Sequence, residues 1–199
     1  MSDTTWWIVI VVVVVALAAI VAWRQAVRLD RLHRQVLQAR ASLDALLIRR
    51  AHAAIALASS DLLDPASAML IAKAAQDCLD AGPALTADAM QPERLYSMDD
   101  AAMTQSSQPR QACESILTQV LRQTLTRDVR EQLDRDPRGR ELLGQLTRAH
   151  QQVTYARRFH NDHVARARAL RSHPSVRFLR LAGHAALPDA VDIDDALVV

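Results

Sequence analysis

The chain is predicted to be all-α: an N-terminal single transmembrane helix followed by an antiparallel four-helix bundle of long helices. Three observations carry that expectation. Residues 6–23 form an unbroken run of 18 uncharged residues, WWIVIVVVVVALAAIVAW. Beyond it Ala, Leu, Gln and Arg dominate, all good helix formers. Glycine (4 in 199 residues) and aromatics (4%) are too scarce for a sheet protein, which needs turns and β-branched or aromatic strands.

The apolar run comes first. Crossing about 30 Å of hydrocarbon takes about 20 apolar residues, so this run, at about 1.5 Å per residue, is a minimal span. Trp6, Trp7 and Trp23 bracket it, and indole rings prefer the headgroup level. Val11 to Val15 are mediocre helix formers in water, but in lipid the backbone must satisfy its own hydrogen bonds. A cleaved signal peptide is the competing reading. It wants a positive start and a small-residue cleavage site. Residues 1–5, MSDTT, carry no Lys or Arg, and the run ends in Trp23-Arg24, so a retained anchor fits better. After the run come Arg24, Arg28, Arg31, Arg34 and Arg40 against Asp30. The positive-inside rule then puts residues 1–5 outside the cell (plasma) membrane and the bulk of the chain in the cytoplasm.

Residues 24–188 are expected to form the bundle. A first helix over about residues 24–59, continuous with the span, steps through Leu32, Val36, Ala39, Leu43, Leu46, Ala53 and Leu57. Steps of four and three mark a helix packed among others, and Arg50 breaks one position. Ser59, Ser60 and Asp61 are candidate caps for a second helix over about residues 62–81, with Gly82-Pro83 as its stop. Residues 83–109 read as a long polar loop with a short helix near 99–103. A third helix over about residues 110–135 buries Ile116, Leu117, Val120, Leu121, Leu125 and Val129. Asp136-Pro137 and Gly139 mark a break before a fourth, over about residues 139–172. Its seam is Leu142, Leu146, Ala149, Val153, Ala156, His160, His163, Ala167 and Leu170. Residues 189–199 read as an acidic flexible tail.

Chemistry is harder to find. Net charge is +2, but residues 142–188 hold eight Arg and one acid, Asp162, while residues 189–199 hold four Asp and no base. The basic fourth helix suits a solvated face, anionic lipid headgroups, or docking of the Asp-rich tail. No nucleic-acid motif supports a fourth use. His160 and His163, three apart on the seam, could begin a metal site, with His150 or His52 as a further ligand. The E-x-x-H pairs of carboxylate-bridged bundles are absent, so core histidines are the plainer reading. Phosphate-loop, dinucleotide and nucleophile-elbow motifs are absent too. Cys78 and Cys113 stand alone, as reduced thiols would. No cofactor is expected, and no enzyme.

Two blocks resemble the LemA family. One is LDRLHRQVLQARASLDALLIRR (residues 29–50), with a basic start, regular apolar steps and the double Arg at Arg49 and Arg50. The other begins ARRFHN at Ala156 and closes on Pro174 and an acidic, apolar segment. His160 stands where that family usually has a tyrosine. The resemblance implies a short outer N-terminus, one span and an antiparallel bundle, and carries over Arg49, Arg50, Arg157, Arg158, Phe159, Asn161 and Pro174 as motif or interaction positions. It gives a topology rather than an activity. The expected role is a structural or interaction module at the inner face of the membrane. Its partners would be protein helices, further copies of itself, or anionic lipid headgroups. The alternative is a metal-binding or enzymatic bundle using His160 and His163.

Overall fold

The computed structural model describes residues 3–81, 100–172 and 188–196. Five helices occupy them, and no strand occurs among the described residues: α1 (Asp3–Ala58), α2 (Pro65–Asp80), α3 (Asp100–Thr124), α4 (Arg127–Arg135) and α5 (Pro137–Ser172).

The chain has one described helix long and apolar enough to cross a membrane, and its apolar window is wholly unburied. That window and the first core helix are one element. α1 runs for 56 residues without a break, roughly 84 Å at about 1.5 Å per residue. Past Trp23 its character changes. Val36, Ala39, Leu43, Leu47, Ala51, Ala54 and Leu57 are buried, spaced three and four apart.

α1 packs along α5 and against α2, α2 against α3, and α4 against α5. α1 and α5 run antiparallel. Val36 meets Val164 and Ala167, and Leu43 and Leu47 meet Val153. The largest apolar cluster joins Leu57, Ile71, Cys78, Leu117, Leu121, Leu133 and Leu146, so every helix contributes.

Several boundaries differ from expectation. The cap of α2 is Asp64, not the Ser59–Asp61 group: its Oδ1 accepts from the N–H of Ala66 (3.1 Å) and Ser67 (3.0 Å). Asp61 instead takes a left-handed φ of 60° just past α1. The long loop ends sooner, because α3 already begins at Asp100. Residues 83–99 of that loop lie outside the described residues, as does Pro174. The expected helix over 110–135 is two. α3 closes at Thr124, and Arg130 Nε–H donates to the Leu125 carbonyl at 2.9 Å, satisfying an end group of the helix. Ile116, expected in the core, is exposed. The inward face of α3 is set instead by Arg110, Glu114, Leu117, Thr118 and Leu121.

The Asp136-Pro137 break is present, with Asp136 Oδ1 accepting from Gly139 N–H at 2.9 Å. A Cβ on Gly139 would lie 2.5 Å from the Leu133 carbonyl oxygen, so only glycine lets α5 start this close to α4.

Residues 188–196 are not a loose tail. They lie extended along the helices, with Val191 and Ile193 each only 4% exposed against Leu43, Leu47 and Val153. The reason is the spacing. Alternate residues of an extended chain point the same way, so two apolar side chains two apart enter one groove while Asp192 and Asp194 face out.

Candidate functional site: a buried ion cluster beneath a bound acidic segment

Arg50 follows Leu43 and Leu47 at the same three-or-four spacing and precedes Ala54 and Leu57, so its position on α1 faces inward. The guanidinium is fully buried. A buried charge needs a partner and full hydrogen bonding. Arg50 Nη2 donates to Glu114 Oε2 at 2.6 Å and to the Glu114 carbonyl at 3.0 Å, and Nη1 donates to Thr118 Oγ1 at 3.1 Å. Thr118 in turn donates to the Glu114 carbonyl at 3.0 Å. The second carboxylate oxygen of Glu114 accepts from Arg110 Nε at 2.7 Å, and Arg110 lies 3.8 Å from Asp44 Oδ1. Two cations and two carboxylates thus balance inside the helices, tying α1 to α3.

His150 connects this cluster to the surface. Its Nδ1 lies 3.3 Å from Arg50 Nη1 and its Nε2 lies 3.0 Å from the Asp195 carbonyl. Arg50 can only donate, so Nδ1 must accept and Nε2 must carry the proton. The neutral ring is the one that fits. Burial holds the His150 pKa below its ordinary value, against the raising effect of the Asp195 carbonyl, and Arg50 lowers it further.

Residues 188–196 are held along their length. Arg168 donates to the Pro188 carbonyl (2.8 Å) and to Asp189 Oδ1 (2.5 Å). His160 Nε2 is 3.3 Å from the Asp189 carbonyl. Asn161 takes both backbone groups of Val191: Nδ2 donates to its carbonyl at 3.0 Å and Oδ1 accepts from its N–H at 2.9 Å. Ser115 Oγ accepts from Asp194 N–H at 3.2 Å, and Arg122 pairs with the Asp194 carboxylate. Arg157 donates twice to Asp195 Oδ2, from Nε at 2.9 Å and Nη2 at 2.8 Å. The backbone hydrogen bond from Ala196 and the Arg122 guanidinium hold the Asp194 carboxyl below the usual range.

This arrangement can recognise an extended peptide. An amide side chain reads the main chain, an apolar groove takes two alternate residues, and three arginines neutralise the flanking carboxylates.

The structure separates the positions singled out from sequence. Arg50, Arg157 and Asn161 belong to the site. Arg49 and Arg158 point to solvent. Phe159 is exposed on the outer face of α5, its ring edge-on to His163 at 4.3 Å. His160 and His163 are both buried, but His160 directs Nε2 to the Asp189 carbonyl. Among the described residues no group of three or more His, Cys, Asp or Glu is placed to hold a metal ion. Of the basic residues on α5, Arg157 and Arg168 meet the acidic segment, whereas Arg166 pairs with Asp162 at 2.6 Å.

Glu114, Arg110, Thr118, Arg122 and Ser115 escaped sequence reasoning, and His150 was weighed there only as a companion of His160 and His163 in a metal site. A signal for some of them was present. Arg50 falls at a seam position, and Arg110 and Glu114 sit four apart on the face that carries Leu117 and Leu121. Comparison with protein-family models, with curated proteins and with solved structures returned no match.

Proposed function

We propose that the chain is a single-pass membrane protein of the LemA type. In this reading residues 1–5 lie outside the cell membrane and the helices form an antiparallel four-helix bundle at its inner face, α4 being a short link. The bundle acts as an interaction module rather than an enzyme. One observation carries this: the uncharged run of residues 6–23, none of it buried, and the buried seam of α1 are a single unbroken helix. An apolar helix surface of that length needs lipid around it. The bundle is then held upright at a fixed height above the bilayer.

The residues support the assignment at two more points. Arg24, Arg28 and Arg31 are exposed just beyond the run, where each would gain about 1 kcal/mol from anionic headgroups. Arg157 and Asn161, in the block that resembles the family, face a groove with the chemistry of peptide binding.

The test is topological. In a chain with Cys78 and Cys113 replaced by alanine, a cysteine is placed at Ser2 or at Ser59. Alkaline extraction should leave both chains in the membrane. A membrane-impermeant maleimide on intact cells should label the first and spare the second. Release into the alkaline supernatant sinks the anchor, and the reverse labelling sinks the orientation.

A further inference from the structure

We propose that residues 188–196 form an acid-released strap: protonation of His150 and His160 frees the segment from the helices while the helices stay folded. The device lies wholly in α1, α3, α5 and the segment, whatever surrounds residues 6–23.

The two rings stand at the two ends of the segment. His150 Nε2–H donates to the Asp195 carbonyl at 3.0 Å, and His160 Nε2 lies 3.3 Å from the Asp189 carbonyl. Val191, held by Asn161, lies between them. Both rings are buried, His150 at 4% exposed and His160 at 1%.

At His150 a second proton meets a donor. Nδ1 already accepts from Arg50 Nη1 at 3.3 Å, so the protonated ring sets an N–H against an N–H and a cation against a cation. Arg50 cannot withdraw. Its other bonds run to the Glu114 carboxylate, the Glu114 carbonyl and Thr118, all buried. The ring is therefore the partner that moves, and its remaining bond is the one to the segment. The charges around it are few. α1 brings Arg50, which opposes the imidazolium. The segment brings the Asp194 and Asp195 carboxylates, which favour it. Both are already matched, by Arg122 of α3 and Arg157 of α5, and Glu114 of α3 is engaged by Arg50 and Arg110.

His160 meets a related obstacle. Its Nδ1 is buried with no hydrogen-bond partner among the described residues, so a second N–H there is stranded. Arg40 of α1 and His163 of α5 oppose its charge, and the Asp189 carboxylate below it is taken by Arg168.

The direction of the response follows. Burial holds both rings below the ordinary 6.5, with Arg50 adding to it at His150 and Arg40 and His163 at His160, against the raising effect of the two carbonyls. The segment covers the Nε2 edge of each ring. Its departure opens that edge to water and lets the ring titrate closer to 6.5, so protons bind the released state better. Docking is at full strength above 6.5 and weakens as pH falls below it, each ring shifting the equilibrium by at most about tenfold per pH unit. Aspartates titrate well below this window, so the segment keeps its charge through it.

Release leaves most of the core in place. Val191 and Ile193 pack on Leu43, Leu47 and Val153, whereas the large cluster around Leu57, Ile71 and Leu121 and the cluster of Val36, Val164 and Ala167 contain no residue of the segment.

A nitroxide on the segment tests this in the full-length chain in detergent micelles. Cys78 and Cys113 are replaced by alanine, and the label is carried by Asp192→Cys, an exposed position. Its electron paramagnetic resonance spectrum is followed from pH 7.5 to pH 5 beside helical circular dichroism. The expected result is a mobile component that grows severalfold below pH 6.5 and reverses on neutralisation, while the helical signal holds. A chain that also carries His150→Gln and His160→Gln should stay immobile to pH 5, because glutamine offers an acceptor to Arg50 and a donor to the segment without titrating. A label that does not respond to pH in the chain with both histidines, held or free throughout, overturns the proposal. So does a double variant that opens over the same range. Helical signal lost in step with the label's release overturns it too, since the whole fold is then what titrates. Should the double variant already be mobile at pH 7.5, His150→Gln alone is read: a reduced response to acid supports the strap, and an undiminished one overturns it.

Discussion

Asn161 grips Val191 by both of its backbone groups, donating to the carbonyl at 3.0 Å and accepting from the N–H at 2.9 Å. A single side chain thereby satisfies the donor and the acceptor of a residue that no strand or helix could serve. With Val191 fixed, Ile193 two residues on falls into the same groove, and the carboxylates on either side fall opposite arginines. The segment has a defined register because one amide sets it.

Asn161→Ala removes both bonds and leaves the partly buried N–H and carbonyl of Val191 without partners. At about 1–3 kcal/mol for stranded polar groups, the segment should loosen before the helices do. Limited proteolysis should clip the chain near residues 188–196 faster in the variant, with thermal unfolding of the helices shifted down by only a few degrees. Cleavage at the wild-type rate would show that the amide does not hold the segment.

Arg50→Met should be costly. The change leaves Glu114 buried with Arg110 as its remaining cation, and stranding a buried charge typically costs about 3–5 kcal/mol. Denaturant unfolding of the single variant should show a loss of that order. The double change of Arg50→Met with Glu114→Met should recover a large part of it, because no carboxylate is then stranded. A single variant as stable as the wild type would mean that the ion cluster contributes nothing net.

Acid should weaken the fold before the carboxylates titrate. His150 and His160 both have folded-state pKa values below the ordinary 6.5, burial being the largest cause in each. Arg50 lowers the first, and Arg40 and His163 lower the second, while the Asp195 and Asp189 carbonyls act the other way. The unfolded chain therefore binds protons more readily, and stability rises with pH across the window between the depressed values and 6.5. It is fully present above 6.5 and is lost as pH falls below it, by at most about 1.4 kcal/mol per pH unit per group. Melting temperatures measured between pH 7.5 and pH 5 should fall, and His150→Gln should flatten the slope. A flat wild-type profile would contradict the burial of these rings in neutral form.

The two thiols should differ sharply. Cys78 is buried between α1, α2 and α3, and burial with the nearby Glu114 carboxylate pushes its pKa up to about 12. The thiolate is the reactive form, so Cys78 should be inert to iodoacetamide at pH 8 while the half-buried Cys113 is alkylated. Equal rates in native protein would show that the α2–α3 contact is open.

Much of the fold was legible because hydrophobic spacing reports helices directly. Leu43, Leu57, Leu146, Val153 and Ala167 lie where three-and-four steps put them. What misled was polarity. Arg50 looks like a break in a seam, and its partners on α3, Glu114 and Thr118, are 64 and 68 residues away, so the pairing depends on how the helices meet. The acidic end looked like a solvated tail because four Asp in eleven residues mask the alternation of Val191 and Ile193 between them. The groove that accepts Val191 and Ile193 is made by α1 and α5 together, and no local stretch of sequence displays it. Asn161 and Arg157 drew notice through a family resemblance, but their role as clamps on the chain's own end required the folded geometry.

The central claim is that residues 188–196 are a bound segment, read by Asn161 above a buried ion cluster. Amide hydrogen exchange at Val191, measured on the full-length chain in detergent micelles, addresses it most directly. The Val191 N–H should exchange as slowly as amides within α5 in the wild type, and at the rate of an open peptide in Asn161→Ala. Exchange at the open-peptide rate in the wild type would contradict the claim.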